Sequence, residues 1–230
     1  MNNIPMRLRI LIGAAIVLIP LSIWRVVSYR SDPAPNMTSE QAAIHEDRIN
    51  GNVEGLVEKV KTYKTGNARR ATIVLGTLGP AALPKLKTIL REDTRPAVQE
   101  QAVYAIAEVV RSEVSVDKPL TKKMTVDLVE AMADEKIPPT VRAAAASSLG
   151  RIYDYNNMDS LLKAMDDKDL GVRISAHEAV SKIFGRKYKF DARVASAQRQ
   201  IVIKEIAQAW ETYKNRVGTY HDGNRKPAKR

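Results

Sequence analysis

From residue 39 onward, apolar residues recur at three- and four-residue intervals, and the alternation expected of strands is almost absent. Four segments, 67–79, 96–110, 140–152 and 171–184, align on their last apolar turn. The equivalent residues are Leu75, Ile106, Leu149 and Val180, spaced 31, 43 and 31 residues apart. A small residue stands four positions earlier in each copy: Ala71, Ala102, Ala145 and Ala176. An apolar residue stands three positions later: Leu78, Val109, Ile152 and Ile183. Offsets of three and four place these positions on one helical face, where alanine admits a neighbouring helix and the larger residues fill the space beside it.

Each of these helices has a predicted partner before it, over 53–63, 81–90, 124–132 and 158–165, joined by short polar turns at 64–66, 92–94, 134–136 and 166–169. Four helical hairpins follow, each too small to bury its own apolar face, so the pattern predicts an all-α stack. The 43-residue spacing implies an insertion at 111–120. A first helix is expected over 39–49, with Thr38-Ser39-Glu40 as its cap and Asn50-Gly51-Asn52 as its break. A capping helix is expected over 191–217, with Val194, Ala197, Ile201, Ile206, Trp210, Tyr213 and Val217 on its apolar side.

The remaining apolar run lies at the start. Residues 10–24 carry no charge, and counting on through Val27 gives 18 residues, near the lower limit for crossing a bilayer as a helix. Two readings stand. The run is an uncleaved signal anchor, or it is the middle of a signal peptide cleaved after Ser28 and followed by a secreted body. Arg7 and Arg9 on one side, against Arg25 and Arg30 with Asp32 on the other, favour a cytoplasmic N-terminus and an extracytoplasmic, periplasmic body. The domain plan is thus a transmembrane segment over 1–30, a Pro-containing linker over 31–38, the helical body over 39–217, and a basic tail over 218–230 expected to be disordered.

Composition narrows the chemistry. Aromatics are only 5% of the 230 residues, which leaves Ala, Leu, Ile and Val to supply most of the burial. With no cysteine, disulfides, thiolate catalysis and Cys-based zinc sites are excluded. The net charge of +11 is uneven. Residues 1–30 hold four arginines and no acid, 31–185 hold 21 basic and 22 acidic residues, and 186–230 hold 12 basic and 4 acidic residues. A neutral body argues against nucleic acid along the whole stack. The basic end reads either as solubilising charge or as attraction to an anionic surface, lipid being favoured over single-stranded nucleic acid because no aromatic stacking array accompanies the terminal cluster.

The stretch LGTLGPAALPKL at 75–86 resembles the junction between successive HEAT repeats. Val141-Arg142 and Val172-Arg173, each after an Asp-containing turn, resemble the start of the second helix in the phycobilisome-lyase-like branch of that family. The likeness covers roughly residues 52–185, and with the apolar N-terminus the chain resembles a bacterial-type, membrane-anchored member. It implies a short right-handed α-solenoid with the second helices on the concave side. It also implies that the arginine of one repeat hydrogen-bonds the turn aspartate of a neighbour. Arg142 and Arg173 match that position; Gln99 and Ala68, their equivalents, do not.

No constellation of catalytic residues emerges, and no cofactor or metal site is expected. His177-Glu178 lacks the second histidine, since position 181 is Ser. Asp166, Asp167 and Asp169 lack the glycine and distal glutamate of a calcium loop and read as turn and cap residues. Met124, Met132, Met158 and Met165 read as core. The candidate partner surface is the stripe Glu100, Tyr104, Glu108 and Arg111, off the core face of the second repeat's helix, together with Arg142, Arg173 and His177. The chain is therefore expected to be a non-enzymatic, membrane-tethered interaction scaffold holding a protein or peptide on its concave face. Alternatives are an accessory or lyase-like factor for a chromophore-binding or other partner protein, and binding of anionic lipid or nucleic acid through the basic tail.

Overall fold

The computed structural model describes residues 36–114 and 120–217, among which ten α-helices and two short 3-10 turns form all the regular structure, with no strand. The class is all-α. The chain divides into two compact units, 1–52 and 53–230.

In the first unit, α1 spans Ser39–Ile49. Thr38 closes a capping box: its hydroxyl accepts from the Gln41 backbone at 3.3 Å while the Gln41 side chain accepts from the Thr38 N–H at 3.2 Å. The helix stops where Gly51 takes a positive φ of 62°, and Asn52 then donates to the Asp47 carboxylate at 2.9 Å. The expected helix and its break are both present.

The second unit holds nine helices among its described residues. They are α2 Val53–Thr62, α3 Thr65–Gly76, α4 Leu83–Glu92, α5 Pro96–Glu113, α6 Lys122–Ala133, α7 Pro139–Ile152, α8 Met158–Ala164, α9 Leu170–Phe184 and α10 Ser196–Val217. The pairs α2/α3, α4/α5, α6/α7 and α8/α9 pack as hairpins, and α3, α5, α7 and α9 also pack on one another in chain order. All of Leu75, Ile106, Leu149 and Val180, and all of Ala71, Ala102, Ala145 and Ala176, are buried. The repeat register read from periodicity is thus the packing register. The helix α5 continues to Glu113 into the expected insertion, of which residues 115–119 lie outside the described part.

The closest approach between second helices falls on a pair that periodicity alone did not single out. The residue just after the Leu75 position meets the residue just before the equivalent position in the next repeat. A Cβ on Gly76 would lie 2.8 Å from the Ala105 Cβ, and one on Gly150 would lie 2.7 Å from the Ala179 Cα. Glycine inside a helix costs up to about 1 kcal/mol relative to alanine, and overpacking costs about 1–3 kcal/mol, so the clash wins. Gly150→Ala is expected to destabilise, although it improves helix propensity. Gly66→Ala in α3, where a Cβ meets nothing within 4 Å, should be neutral or stabilising. Denaturant midpoints check both, and a stabilised Gly150→Ala would contradict the packing.

The turns are fastened by arginines. The buried Arg142 pairs with Asp167 in the turn of the following hairpin, as the HEAT likeness implies. Arg173 instead donates to main-chain carbonyls, Asp167 O at 2.8 Å, Lys168 O at 2.9 Å and Ala192 O at 2.7 Å. In the first hairpins Gln99 only caps its own hairpin, bonding Leu90 O at 3.0 Å. There a different residue makes the link. Arg95 reaches back to Val60 O at 2.5 Å and Tyr63 O at 2.8 Å, occupying carbonyls that the end of α2 leaves without helical partners.

α10 packs against α8, and its Arg199, Ile203, Ile206 and Trp210 are all buried. Ile206 and Trp210 are on the buried side as expected, but Ala197, Ile201 and Tyr213 are exposed, with Ile201 at 70%, which corrects the expected apolar side at those positions. The buried side takes in Arg199 instead because Arg199 and Gln200 have a polar anchor. Arg199 Nε and Gln200 Nε2 bond the Asp166 carboxylate at 2.8 and 2.7 Å, joined by Ser196 Oγ at 2.6 Å. Burial pushes the Asp166 carboxyl up, but these hydrogen bonds outweigh it and hold it below its ordinary value near 3.8. Its depressed value means the contribution is complete above pH 3.8 and lost as pH falls through the lower folded value. Acid titration of Trp210 fluorescence should show this end loosening in that window. Asp166→Asn should weaken the transition, and an unchanged acid transition would contradict the anchor.

The apolar run 10–27 and the tail 218–230 lie outside the described residues. Among the described ones, no helix is long and apolar enough to cross a membrane.

Candidate functional site

The outward positions of the second helices are set by the same repeat. Two residues before and two after the equivalent core residue stand Ile73 and Thr77 on α3, Tyr104 and Glu108 on α5, and Ser147 and Arg151 on α7. The α3 and α5 residues, with Arg151, line a groove of about 610 Å³ whose floor is Gly76 and Ala105. The floor is closed because those two residues bring the helices together. The walls are apolar at the middle, with Ile73 52% exposed and Tyr104 half-buried. At one end Glu108 is shared by two guanidinium groups: Arg111 Nη2 contacts Oε2 at 2.7 Å, and Arg151 Nη2 bonds Oε1.

The structure therefore brings Tyr104 and Glu108 of the expected stripe into one groove, with Arg111 at its edge and Glu100 one turn earlier on α5. It adds Ile73 and Arg151, which the sequence reading missed. Both were legible in principle, because Ile73 and Tyr104 hold the same repeat position, as do Glu108 and Arg151. The other three expected surface residues lie elsewhere. Arg142 is 1% exposed and belongs to the turn network. Arg173 is committed to three carbonyls. His177 corresponds to Thr72, Val103 and Ala146, which the next second helix covers; in the last repeat the segment 186–190 covers it instead. Its ring stands 5.0 Å from that of Phe190, and Ser181 Oγ lies 3.4 Å from its Nε2. Burial holds the imidazole below its ordinary value, partly opposed by a hydrogen bond with the Tyr188 backbone.

Two further furrows run between first helices, and ion pairs cross both. Between α2 and α4 a space of about 530 Å³ is bridged by Lys85–Glu54 at 2.9 Å. Between α4 and α6 a space of about 760 Å³ is lined by Arg91, Asp127 and Glu130, and Lys87 reaches Asp127 at 2.6 Å. Lys85 is paired with Glu54, and Lys87 and Arg91 with Asp127, across these furrows, whereas the α3/α5 groove leaves Ile73 uncovered at its middle. Among the described residues no group of His, Asp and Glu side chains is placed to hold a metal ion. No family model matches the chain, and no curated protein matches it.

Proposed function

We propose that this protein is an interaction module: a short HEAT-like α-solenoid that holds a protein or peptide segment on the face of its second helices, tethered to a membrane by residues 10–27. The observation that carries the reading is the α3/α5 groove, where Ile73 is 52% exposed beside Tyr104 on a floor of Gly76 and Ala105. A large aliphatic side chain held out beside an aromatic one over a closed floor gives up hydration readily when another apolar side chain covers it. Serial packing of α3, α5, α7 and α9 supports the solenoid, because a stack of this kind repeats its outward positions and so builds an extended surface.

Selection of a random twelve-residue display library on the immobilised full chain tests the reading. Enriched peptides should lose binding to Ile73→Lys and Tyr104→Ala but keep it on Val126→Lys, a change at an exposed apolar residue of α6. Peptides indifferent to Ile73 and Tyr104 would overturn the assignment of the groove.

A further inference from the structure

Resting on that reading, we infer that the segment taken by the α3/α5 groove is acidic: one large apolar side chain between Ile73 and Tyr104, with a carboxylate on each side of it. The charge of the groove carries this. Arg69 and Arg70 stand one turn before Ile73 on α3; both are exposed, and neither forms an ion pair among the described residues. Glu100 stands one turn before Tyr104. At the other end Arg111 and Arg151 share the one carboxylate of Glu108. Glu108 and Arg151 line the groove itself, and counting the neighbours one turn away four guanidinium groups stand near the apolar centre against two carboxylates.

The pairs at the Glu108 end do not lock those arginines away. Side-chain exposures are 62% for Arg111, 44% for Arg151 and 42% for Glu108. Ion pairs this exposed contribute about 0–1 kcal/mol, so either guanidinium turns to an incoming carboxylate at little cost. The planar fork of arginine then accepts that carboxylate through two parallel hydrogen bonds. A basic segment would meet four like charges against the two carboxylates of Glu100 and Glu108.

The spacing follows from the repeat. Arg69 precedes the core position of its helix by six residues and Arg151 follows the core position of its own by two. Eight residues of helix rise about 12 Å, and α3 and α7 also stand two packed helices apart, about 16–20 Å sideways. An extended peptide covers the resulting separation of about 20–23 Å in about six residues. The acids should therefore stand about six residues apart with the apolar residue between them, in the order acid, any, any, apolar, any, any, acid.

The test is a restricted display library of peptides nine residues long. The central position is Leu, Phe, Trp or Ala, and the positions three before and three after it are Glu, Gln or Lys. It is panned on the full chain, on Arg69→Glu/Arg70→Glu, and on Arg151→Glu, with Arg151→Gln as a milder variant. All carry the same basic residues at 218–230. The wild-type chain should enrich Glu over Lys at least tenfold at both flanks of a large central residue. The α3 pair should reverse the preference at one flank and the α7 changes should abolish or reverse it at the other. An acid preference that survives both sets of changes places the attraction elsewhere, in the basic tail for instance, and overturns the inference. Groove-dependent peptides with no preference for Glu over Lys also overturn it, while leaving the groove itself standing. Peptides that ignore Ile73→Lys altogether overturn both.

Discussion

Asp167→Ala is expected to cost about 3–5 kcal/mol of stability, because it removes the carboxylate hydrogen-bonded to a buried guanidinium. Arg142 is 1% exposed and Asp167 14%; the bond runs from Arg142 Nη1, and Nε and Nη2 have no acceptor among the described residues. Once the carboxylate is gone, the arginine keeps its desolvation penalty with no hydrogen-bonded partner to offset it, and Glu135, which is exposed, interacts with it only through space. The reverse change leaves a more forgiving residue behind. In Arg142→Met the carboxylate reaches solvent and still accepts from the Asp169 N–H at 2.8 Å, while the methionine fills most of the vacated volume. Arg142→Met should therefore cost clearly less, and the double change should recover most of the loss in Asp167→Ala. Urea midpoints at constant slope measure all three. Equal losses in the two single variants would contradict the account.

Trp210→Ala should cost about 3–5 kcal/mol, the range for deleting a large buried aromatic side chain. Trp210 is 5% exposed and sits among other rings: Tyr213 at 5.4 Å, Phe184 edge-on at 5.8 Å, and Tyr155 at 6.3 Å. This cluster gathers many of the chain's few aromatics where α10 meets the last hairpins. Ile201→Ala on the same helix should change stability by no more than about 0.5 kcal/mol, because Ile201 is 70% exposed. The contrast separates two positions of the expected apolar side that the packing treats differently, Trp210 buried and Ile201 exposed. A larger loss at Ile201 than at Trp210 would contradict the observed packing of α10.

That difference shows where sequence reading reached its limit. The four hairpins were legible because their apolar positions keep helical spacing and their alanines recur at one offset, so local pattern and tertiary packing agree. In α10 they part. Its apolar residues alone suggest a face through Ile201, but the buried side includes Arg199, and periodicity gives an arginine no reason to be inside. Its reason is Asp166, 33 residues earlier in the chain, which only the folded structure brings to it. Arg95 is similar: its carbonyl partners, Val60 and Tyr63, belong to another hairpin and have no side-chain signature. The partial cover over His177 comes from the segment 186–190, through Phe190 and the Tyr188 backbone. The groove was half legible. Tyr104 and Glu108 stood out as a polar-aromatic stripe on one helix, whereas Ile73 looked like one more aliphatic in an apolar run. Reading the stripe across the repeats, at two positions either side of Leu75, Ile106 and Leu149, recovers both Ile73 and Arg151.

The central claim is that this protein works by holding a partner in the α3/α5 groove. Site-specific photo-crosslinking in the full chain, in the cells that make it, tests this most directly. A photoreactive residue is placed in turn at Ile73, at Tyr104 and at Val126 on α6, the last being exposed and apolar but outside the groove. The account predicts one common adduct from positions 73 and 104, weakened by Arg151→Glu and absent from position 126. Adducts from position 126 alone, or the same adduct from all three positions, would contradict it.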